Sequence, residues 1–491
     1  MPEVDGRSPV ALALARFRSQ RSARVGLGVI IGFALLGIYA PFIASETAWV
    51  WWDDAGLRFP VLAELFNRLR YGERYDLFFN MLALAVPPVA VVAVVLRKRI
   101  APARIVRWGL ALTTLVWIAF QIPILPPQGE GTAWRAVWTN RPLATDTWGG
   151  YQQIDRLRSE GVASAARRRD LLRTSDGERV RVLFKTTRPV ASDGSAIIDG
   201  SAPDAAARAT FVVVRPDGQP RAEPRYLPPD QLEAVVPRLT LFPPVVHDYD
   251  TPYSGTVLVT PFTKNEQTGQ RFWLGADASG QDIFARMLFG ARISLTIGVV
   301  ATVIAMSIGI FIGAVSGFFG GWIDIVLQRI VEIMMCFPSF LLILVIVAMV
   351  GRDIMVIIIV SGFTGWAGTA RLVRGEFLSQ SSREYVLACR AMGLPRWRIM
   401  FKHILPNALT PLFIAAAFSV AGMILAESGL SFLGLVDSRT PSWGLVLSGG
   451  RQNPEYWHII YAPGLAIFAL VSALNLVGNA LREAFDPKGA A

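Results

Sequence analysis

Apolar residues in this chain come in long unbroken blocks rather than at alternating or one-face spacing. Eight such blocks are visible, at about Val25–Ala44, Phe78–Leu96, Trp108–Leu125, Ile293–Phe318, Ile323–Val350, Ile354–Leu372, Leu409–Ala426 and His458–Gly478. A helix rises ~1.5 Å per residue, so about 20 residues cross ~30 Å of hydrocarbon. Each block is therefore predicted to be a membrane-spanning helix. The first follows basic residues, as the apolar part of a secretion signal does. It is too long for that and lacks a small-x-small cleavage site, so it is expected to be retained. The second contains Pro87-Pro88, which predicts a kink, tolerable in a membrane where neighbours satisfy the freed backbone groups.

Residues 128–285 break this pattern. They are rich in Arg, Asp, Gly and Pro and contain no spanning block. Arg179–Thr187, Thr210–Arg215 and Ser254–Thr260 have strand character, with Asp193-Gly194 and Asp217-Gly218 as turn signals. A small, mostly β soluble domain is predicted here, with Arg167-Arg168-Arg169 on a solvated helix face. Composition agrees with a membrane protein. Over 491 residues, 53% are hydrophobic and 17% charged, and mean hydropathy is +0.42. These values exclude a soluble enzyme, a disordered chain and a fibre. Two cysteines exclude a disulfide framework or a Cys-rich zinc module, and three scattered histidines leave little room for a metal site.

The net charge of +11 changes the picture only through its distribution. Residues 128–285 hold 19 basic and 19 acidic side chains, so the surplus lies elsewhere. It sits in residues 1–24, 97–107 and 371–407, beside apolar blocks. That is the positive-inside pattern, not the footprint of a nucleic-acid binder. It places both termini and the loops 97–107 and 373–408 in the cytosol, and 128–285 outside.

No lysine follows a glycine, so the chain has no Walker A loop for ATP. Work by this chain would draw on a gradient or a partner. The longest cytoplasmic loop contains SREYVLACRAMGLPRWRIMFKHILPN, Ser382–Asn407. It reads as two short helices, Ser382–Met392 and a second from about Arg396 through His403 to Pro406. Tyr385, Leu387, Ala388 and Ala391 share a face by spacing, and Gly393 with Pro395 stops the first helix. Such a helix has no core of its own to pack on. It either docks in a groove of another protein or lies on lipid through Arg396, Trp397 and Arg398, and spacing alone leaves both open. Within the spans, Arg329 and Glu332 are i, i+3 and can pair, as a polar element near an inner gate or as a structural pair. Glu427 is placed at the outer end of the seventh span, facing water.

This loop resembles the EAA motif of binding-protein-dependent ABC importer permeases, which in the peptide branch reads close to Y-V-E-A-A-R-A-L-G followed by H-I-L-P-N. Tyr385, Val386, Ala388, Arg390, Ala391, Gly393 and His403–Asn407 match, with Leu387 in place of glutamate and Cys389 in place of the second alanine. WLGADASGQDIFARMLFGARISL, GFFGGWID, GWAGTARLVRGEF, LSFLGL, TPSWG and AFDP are similar to that branch in the same order. The entry segment and Glu332 lean towards oligopeptide and microcin C-type permeases. Spans two and three and most of the outer domain exceed what a typical member carries.

The resemblance implies an all-α polytopic protein of the bacterial inner membrane. It would comprise a cytoplasmic segment 1–24, a three-span region 25–127, a β-rich extracytoplasmic domain 128–285, a five-span core 286–480 and a cytoplasmic tail 481–491. It implies a non-catalytic permease subunit importing peptides or peptide-like solutes, with Tyr385, Leu387, Ala388, Cys389, Ala391, Gly393, His403 and Pro406 in the loop that couples to the ATPases. No cofactor is expected in this chain; ATP and Mg would sit on two separate ATP-binding subunits. The other implied partners are a second homologous permease, an extracytoplasmic solute-binding protein and the bilayer. The alternatives are a permease for a metal chelate, sugar or glutathione-like solute, a gradient-driven transporter, or a membrane scaffold or sensor. The nearly charge-free deep spans disfavour a gradient-driven mechanism.

Overall fold

The computed structural model describes residues 9–485 except 46, 54–55, 67–70, 72–73, 98–99, 122–171, 175–178, 187–209, 215–224, 228–231, 235–238, 251–252, 254–255, 266–269 and 437–439. For the strands between 172 and 234 only the backbone is described. The chain forms two compact units, residues 1–35 with 293–491, and residues 36–292.

The helices are α1 Pro9–Ser19, α2 Arg21–Ile38, α3 Ala40–Ile43, α4 Pro60–Glu64, α5 Arg74–Val95 and α6 Pro102–Gln121, followed by α7 Ile283–Phe319, α8 Gly321–Cys336, α9 Ser339–Val350, α10 Ile354–Thr364, α11 Trp366–Ser381, α12 Glu384–Ala391, α13 Arg396–Arg398, a π-helical segment Ile399–Ile404, α14 Leu405–Phe432, α15 Trp443–Gln452 and α16 Trp457–Phe485. Among the described residues six helical stretches are long and apolar enough to cross a membrane: α2, α5, α7, α10 with α11, α13 through α14, and α16.

Three expectations change. The block Ile323–Val350 is not one straight span: α8 and α9 form a pair bent by 78°, which brings the count to seven if the pair is one span. The cause is Pro338, whose ring disfavours helical backbone at Phe337; both residues are extended (ψ 130° and 106°). The third expected block, Trp108–Leu125, is helical as α6 but starts earlier, at Pro102, so Arg104 and Arg107 stand in its first turns; residues 122–125 of that block lie outside the described residues. Half of the expected basic loop 97–107 is thus helix. In α5, Pro87 and Pro88 lie inside a helix that stays one element.

In the unit built around residues 293–491, a glycine stripe sets the closest helix approach. Gly309, Gly313 and Gly317 recur every four residues on α7. A Cβ on Gly313 would lie 2.4 Å from the Ala370 carbonyl oxygen, and one on Gly317 would lie 2.7 Å from the Phe377 Cβ. Only glycine lets α11 lie so near, as in membrane helix pairs generally. α14 packs on α16, and α15 touches both; Gly478 of α16 receives the Phe418 ring of α14.

In the unit of residues 36–292, β1 Val50–Asp53, β2 Gly56–Arg58 and β8 Leu239–Leu241 form an antiparallel sheet in the order β2-β1-β8, with Trp52 opposite Leu57 and Leu239. A five-stranded sheet has the order β6-β5-β4-β3-β7, from β3 Leu172–Thr174, β4 Arg179–Thr186, β5 Thr210–Val214, β6 Arg225–Leu227 and β7 Leu232–Ala234. β4 and β5 fall where strands were expected. Ser254–Thr260 does not become a strand: its described residues turn, and Leu258 and Phe262 hold φ near +57° and +65°.

α5 and α6 pack as a hairpin. A buried arginine fastens α5. Arg292 is fully inaccessible and donates from Nε to the Gly37 carbonyl (2.6 Å), from Nη1 to Asp76 Oδ1 (3.1 Å), and from Nη2 to the Ile38 carbonyl (3.2 Å) and Asn80 Oδ1 (2.9 Å). The Phe79 and Phe289 rings cover it at 5.4 and 5.1 Å. Asp76 and Asn80 share a face of α5 by their i, i+4 spacing, and the carbonyls it reaches are orphans of the end of α2.

Candidate functional site

α12 is short, and its end is fixed by backbone geometry. Gly393 holds φ +72°. Its N–H donates to the Arg390 carbonyl (3.0 Å), while the Leu394 N–H reaches back to the Cys389 carbonyl (3.2 Å). These two bonds make a Schellman cap, which needs a left-handed residue at Gly393. Pro395 then starts the chain back towards α13.

Contrary to expectation, α12 does have a core to pack on. Val386 and Cys389 are buried in a cluster with Ala314, Val373, Phe377, Ile399, Met400, Ile404, Ala408 and Leu412, drawn from α7, α11, the π-helical segment and α14. Tyr385 packs against that cluster and donates its hydroxyl to Gln380 Oε1 at 3.0 Å. The expected single face therefore divides. Tyr385 and Cys389 point into the chain's own core, while Leu387 (54% exposed), Ala388, Ala391 and Met392 (69% exposed) look outward. Cys389, 6% exposed, fills its place in this cluster with a small apolar side chain.

The second expected helix is not a separate element. α13, the π-helical segment and α14 run together as one stretch, Arg396–Phe432. Pro406 explains the wide turns: it lacks the N–H that an α-helix would direct at the Lys402 carbonyl, and its ring crowds that turn. The Asn407 side chain donates to the His403 carbonyl at 2.8 Å. His403 is half-buried and Pro406 exposed, so these two shape the helix start rather than share the outward face of α12.

A polar clamp that the sequence did not single out lies one helix back. Arg374 of α11 donates from Nε and Nη2 to the two carboxylate oxygens of Asp324 on α8, both at 2.6 Å. Ser316 of α7 donates to the same carboxylate (2.5 Å) and accepts from Gln328 (3.0 Å). The fork ties the end of α7 and the first turn of α8 to the middle of α11, the helix that leads into α12. Asp324 stands in the GFFGGWID segment and Arg374 in GWAGTARLVRGEF, but nothing in the sequence pairs the two. The expected pair forms too: Arg329 Nη1 lies 2.6 Å from Glu332 Oε2, with the side chains 70% and 45% exposed on α8, and among the described residues neither bonds to another helix.

Glu427 does not face water. It is 1% exposed, and its carboxyl group accepts from Ser431 (2.6 Å) and from Ser442 (2.5 Å), the N-cap of α15. The GADASGQD segment is likewise structural. Asp277 accepts from the backbone N–H groups of Ser279 and Gln281 and from Arg286 (2.6 Å), and Asp282 accepts from the Ala285 N–H at the start of α7. Asp282 also meets buried His247 at 2.7 Å. Among the described residues no group of three His, Cys, Asp or Glu is arranged to hold a metal.

Comparison with known proteins places this geometry in context. Residues 309–489 match the family described as the binding-protein-dependent transport system inner membrane component. Residues 8–53 match the N-terminal TM domain of oligopeptide transport permease C. The chain is similar to a dipeptide transport system permease protein of Alkalihalophilus pseudofirmus, 37% identical over 46% of this chain and 76% of that protein. It is similar to an oligopeptide transport system permease protein of Bacillus subtilis, 37% identical over 51% of this chain and 81% of that one. It is also similar to a glutathione transport system permease protein of Pectobacterium atrosepticum, 36% identical over 46% of this chain and 75% of the relative. The two family models leave residues 54–308 unmatched.

Proposed function

Because this chain belongs to the inner-membrane permeases of binding-protein-dependent ABC transport systems, in the branch of the oligopeptide and dipeptide permeases, we propose that it is the importer subunit whose α12 takes up the motion of separate ATPase subunits. The single observation that carries this reading is the division of α12. Its inner face is locked by Val386, Cys389 and the Schellman cap, so its outer face, Leu387, Ala388, Ala391 and Met392, is a small apolar surface held at a fixed angle. A rigid helix that offers such a face suits a groove in a partner. Motion delivered there enters α11 and α14 directly through the shared cluster.

The rest of the proposal follows the family. ATP and Mg are held by two partner subunits, and this chain carries no cofactor. A second homologous permease completes the pathway, and an extracytoplasmic solute-binding protein delivers a peptide or peptide-like solute. Both termini and α12 lie in the cytosol of a bacterium, and 128–285, with its five-stranded sheet, lies outside the inner membrane. Arg329 and Glu332 serve as a pair within α8 rather than as a gate, since among the described residues they bond only to each other. The similarity to a glutathione permease supports a second reading in which the solute is another small peptide derivative.

The test is Ala388→Arg in the assembled importer. The bulky charge should abolish transport and solute-stimulated ATP hydrolysis while membrane insertion is unchanged, because an unpaired charge in a closed groove is strongly unfavourable. Full stimulation in that variant would sink the coupling role of α12. Uptake assays across a panel of di-, tri- and oligopeptides and glutathione separate the two solute readings.

A further inference from the structure

Immediately after α12 the surface chemistry changes. Trp397 and Phe401 are 52% and 39% exposed, and their rings stack at 5.6 Å with 3° between planes. Phe319, at the end of α7, meets the Trp397 ring edge-on at 6.0 Å. Arg396, Arg398 and Lys402 are exposed around this stack. None of the three forms an ion pair among the described residues, and no acidic residue occurs between Glu384 and Glu427. The opposite side of the same turns is locked inward, because Ile399, Met400 and Ile404 are buried. The aromatic pair and the three cations are therefore held facing out.

We propose that Arg396, Trp397, Arg398, Phe401 and Lys402 form a seat for anionic lipid headgroups at the membrane surface from which α14 departs. Three observations favour lipid over a protein occupant. The stretch is continuous with α14, so the same helix that carries the seat passes into the apolar span. A Trp beside a second exposed ring at the start of a span has the chemistry of the membrane–water interface, apolar body below and polar edge above. Uncompensated Arg and Lys next to such a span attract the negative surface of a leaflet. Long basic side chains also lie along apolar surface while their heads reach headgroup oxygens. The seat and the outward face of α12 thus divide one loop, with Leu387 and Met392 offered to a protein and Trp397 and Phe401 to lipid. A lipid held there fixes the base against which α12 pivots. The inference rests on the proposed function only in setting seat and α12 on one side of the membrane.

The experiment uses the whole importer in nanodiscs of phosphatidylcholine and phosphatidylglycerol, with a photoreactive benzoylphenylalanine at position 397 or, separately, at 387. The 397 probe should form lipid adducts enriched several-fold in phosphatidylglycerol over its share of the bilayer. Replacing Arg396, Arg398 and Lys402 together by Gln should remove that enrichment, and Arg396→Lys with Arg398→Lys should keep it. An adduct from 397 to an ATPase subunit, lipid adducts without headgroup preference, or no adduct at 397 would each overturn the seat. The 387 probe reports on the coupling role independently, by its adduct to an ATPase subunit, and shows that each variant has assembled.

Discussion

Two arginines, each bound to an aspartate on another helix, do opposite jobs in the two units. Arg292 is sealed. It has no access to water, spends its donors on two backbone carbonyls, Asp76 and Asn80, and lies between two phenylalanine rings. Arg374 is wet. Its side chain is 31% exposed and that of Asp324 17%, and their fork is held by two parallel 2.6 Å bonds. A sealed pair has no low-energy way to separate, since each charge would stay buried without a partner. A pair at the water's edge can open and be hydrated, so it resists separation only weakly. Burial thus suits Arg292 to a permanent fastening of the added helix α5, and hydration leaves Arg374 a joint beside α12 that can open at a lower cost.

Asp76→Ala tests the sealed side and carries the largest effect. It should cost about 3–5 kcal/mol, by leaving a buried guanidinium unpaired. Thermal unfolding of the purified chain and protease resistance of residues 36–121 would register it, whereas a midpoint shift no larger than that of a surface variant would show that Arg292 is not sealed. Gly313→Val comes next. The added side chain meets the Ala370 carbonyl and the Val373 side chain, and overpacking of this kind costs about 1–3 kcal/mol. Separation of α7 from α11 should appear as lost coupling together with lost stability.

Arg374→Gln sharpens the contrast. Its stability cost should be at most about 1 kcal/mol, as befits a hydrated pair. Solute stimulation of ATP hydrolysis should nevertheless fall while basal hydrolysis persists; unchanged stimulation would make the clamp a mere fastening, like its buried counterpart. Arg329→Gln should have the smallest effect, because among the described residues the pair is held within α8 and joins no second helix. A marked transport defect there would return the pair to the gate.

What the sequence made legible follows from how local the cause is. Long apolar blocks located most spans because burial in lipid acts on each segment alone. Gly393 and Pro395 placed the end of α12, since a left-handed cap is a property of a few adjacent residues. Contacts between distant segments left no such trace. Nothing in the sequence pairs Arg292 with Asp76, or Arg374 with Asp324, because only the folded helices bring them together. The face of α12 was misassigned for the same reason: spacing grouped Tyr385 with Leu387, but the position of α11 and α14 decides which side is covered. Glu427 was misjudged because a carboxyl group near a span end ordinarily reaches water, and the serines that enclose it come partly from beyond a loop. The bend at Pro338 was the exception, a local signal present in the sequence but outweighed by the apolar run on either side.

The position of Cys389 has a use of a different kind. Its thiol is 6% exposed on the inner side of α12, while Cys336 is exposed on α8. The two thiols can be told apart by replacing Cys336 with Ala, which leaves the protected one alone. A maleimide should then react with Cys389 only when α12 lifts from its bed. The ratio of that rate to the rate in the unfolded chain measures the opening free energy of the helix, as slow exchange does for a buried amide. Followed with and without nucleotide, that ratio would time the undocking of α12 within the working cycle, from the inside of the subunit that moves.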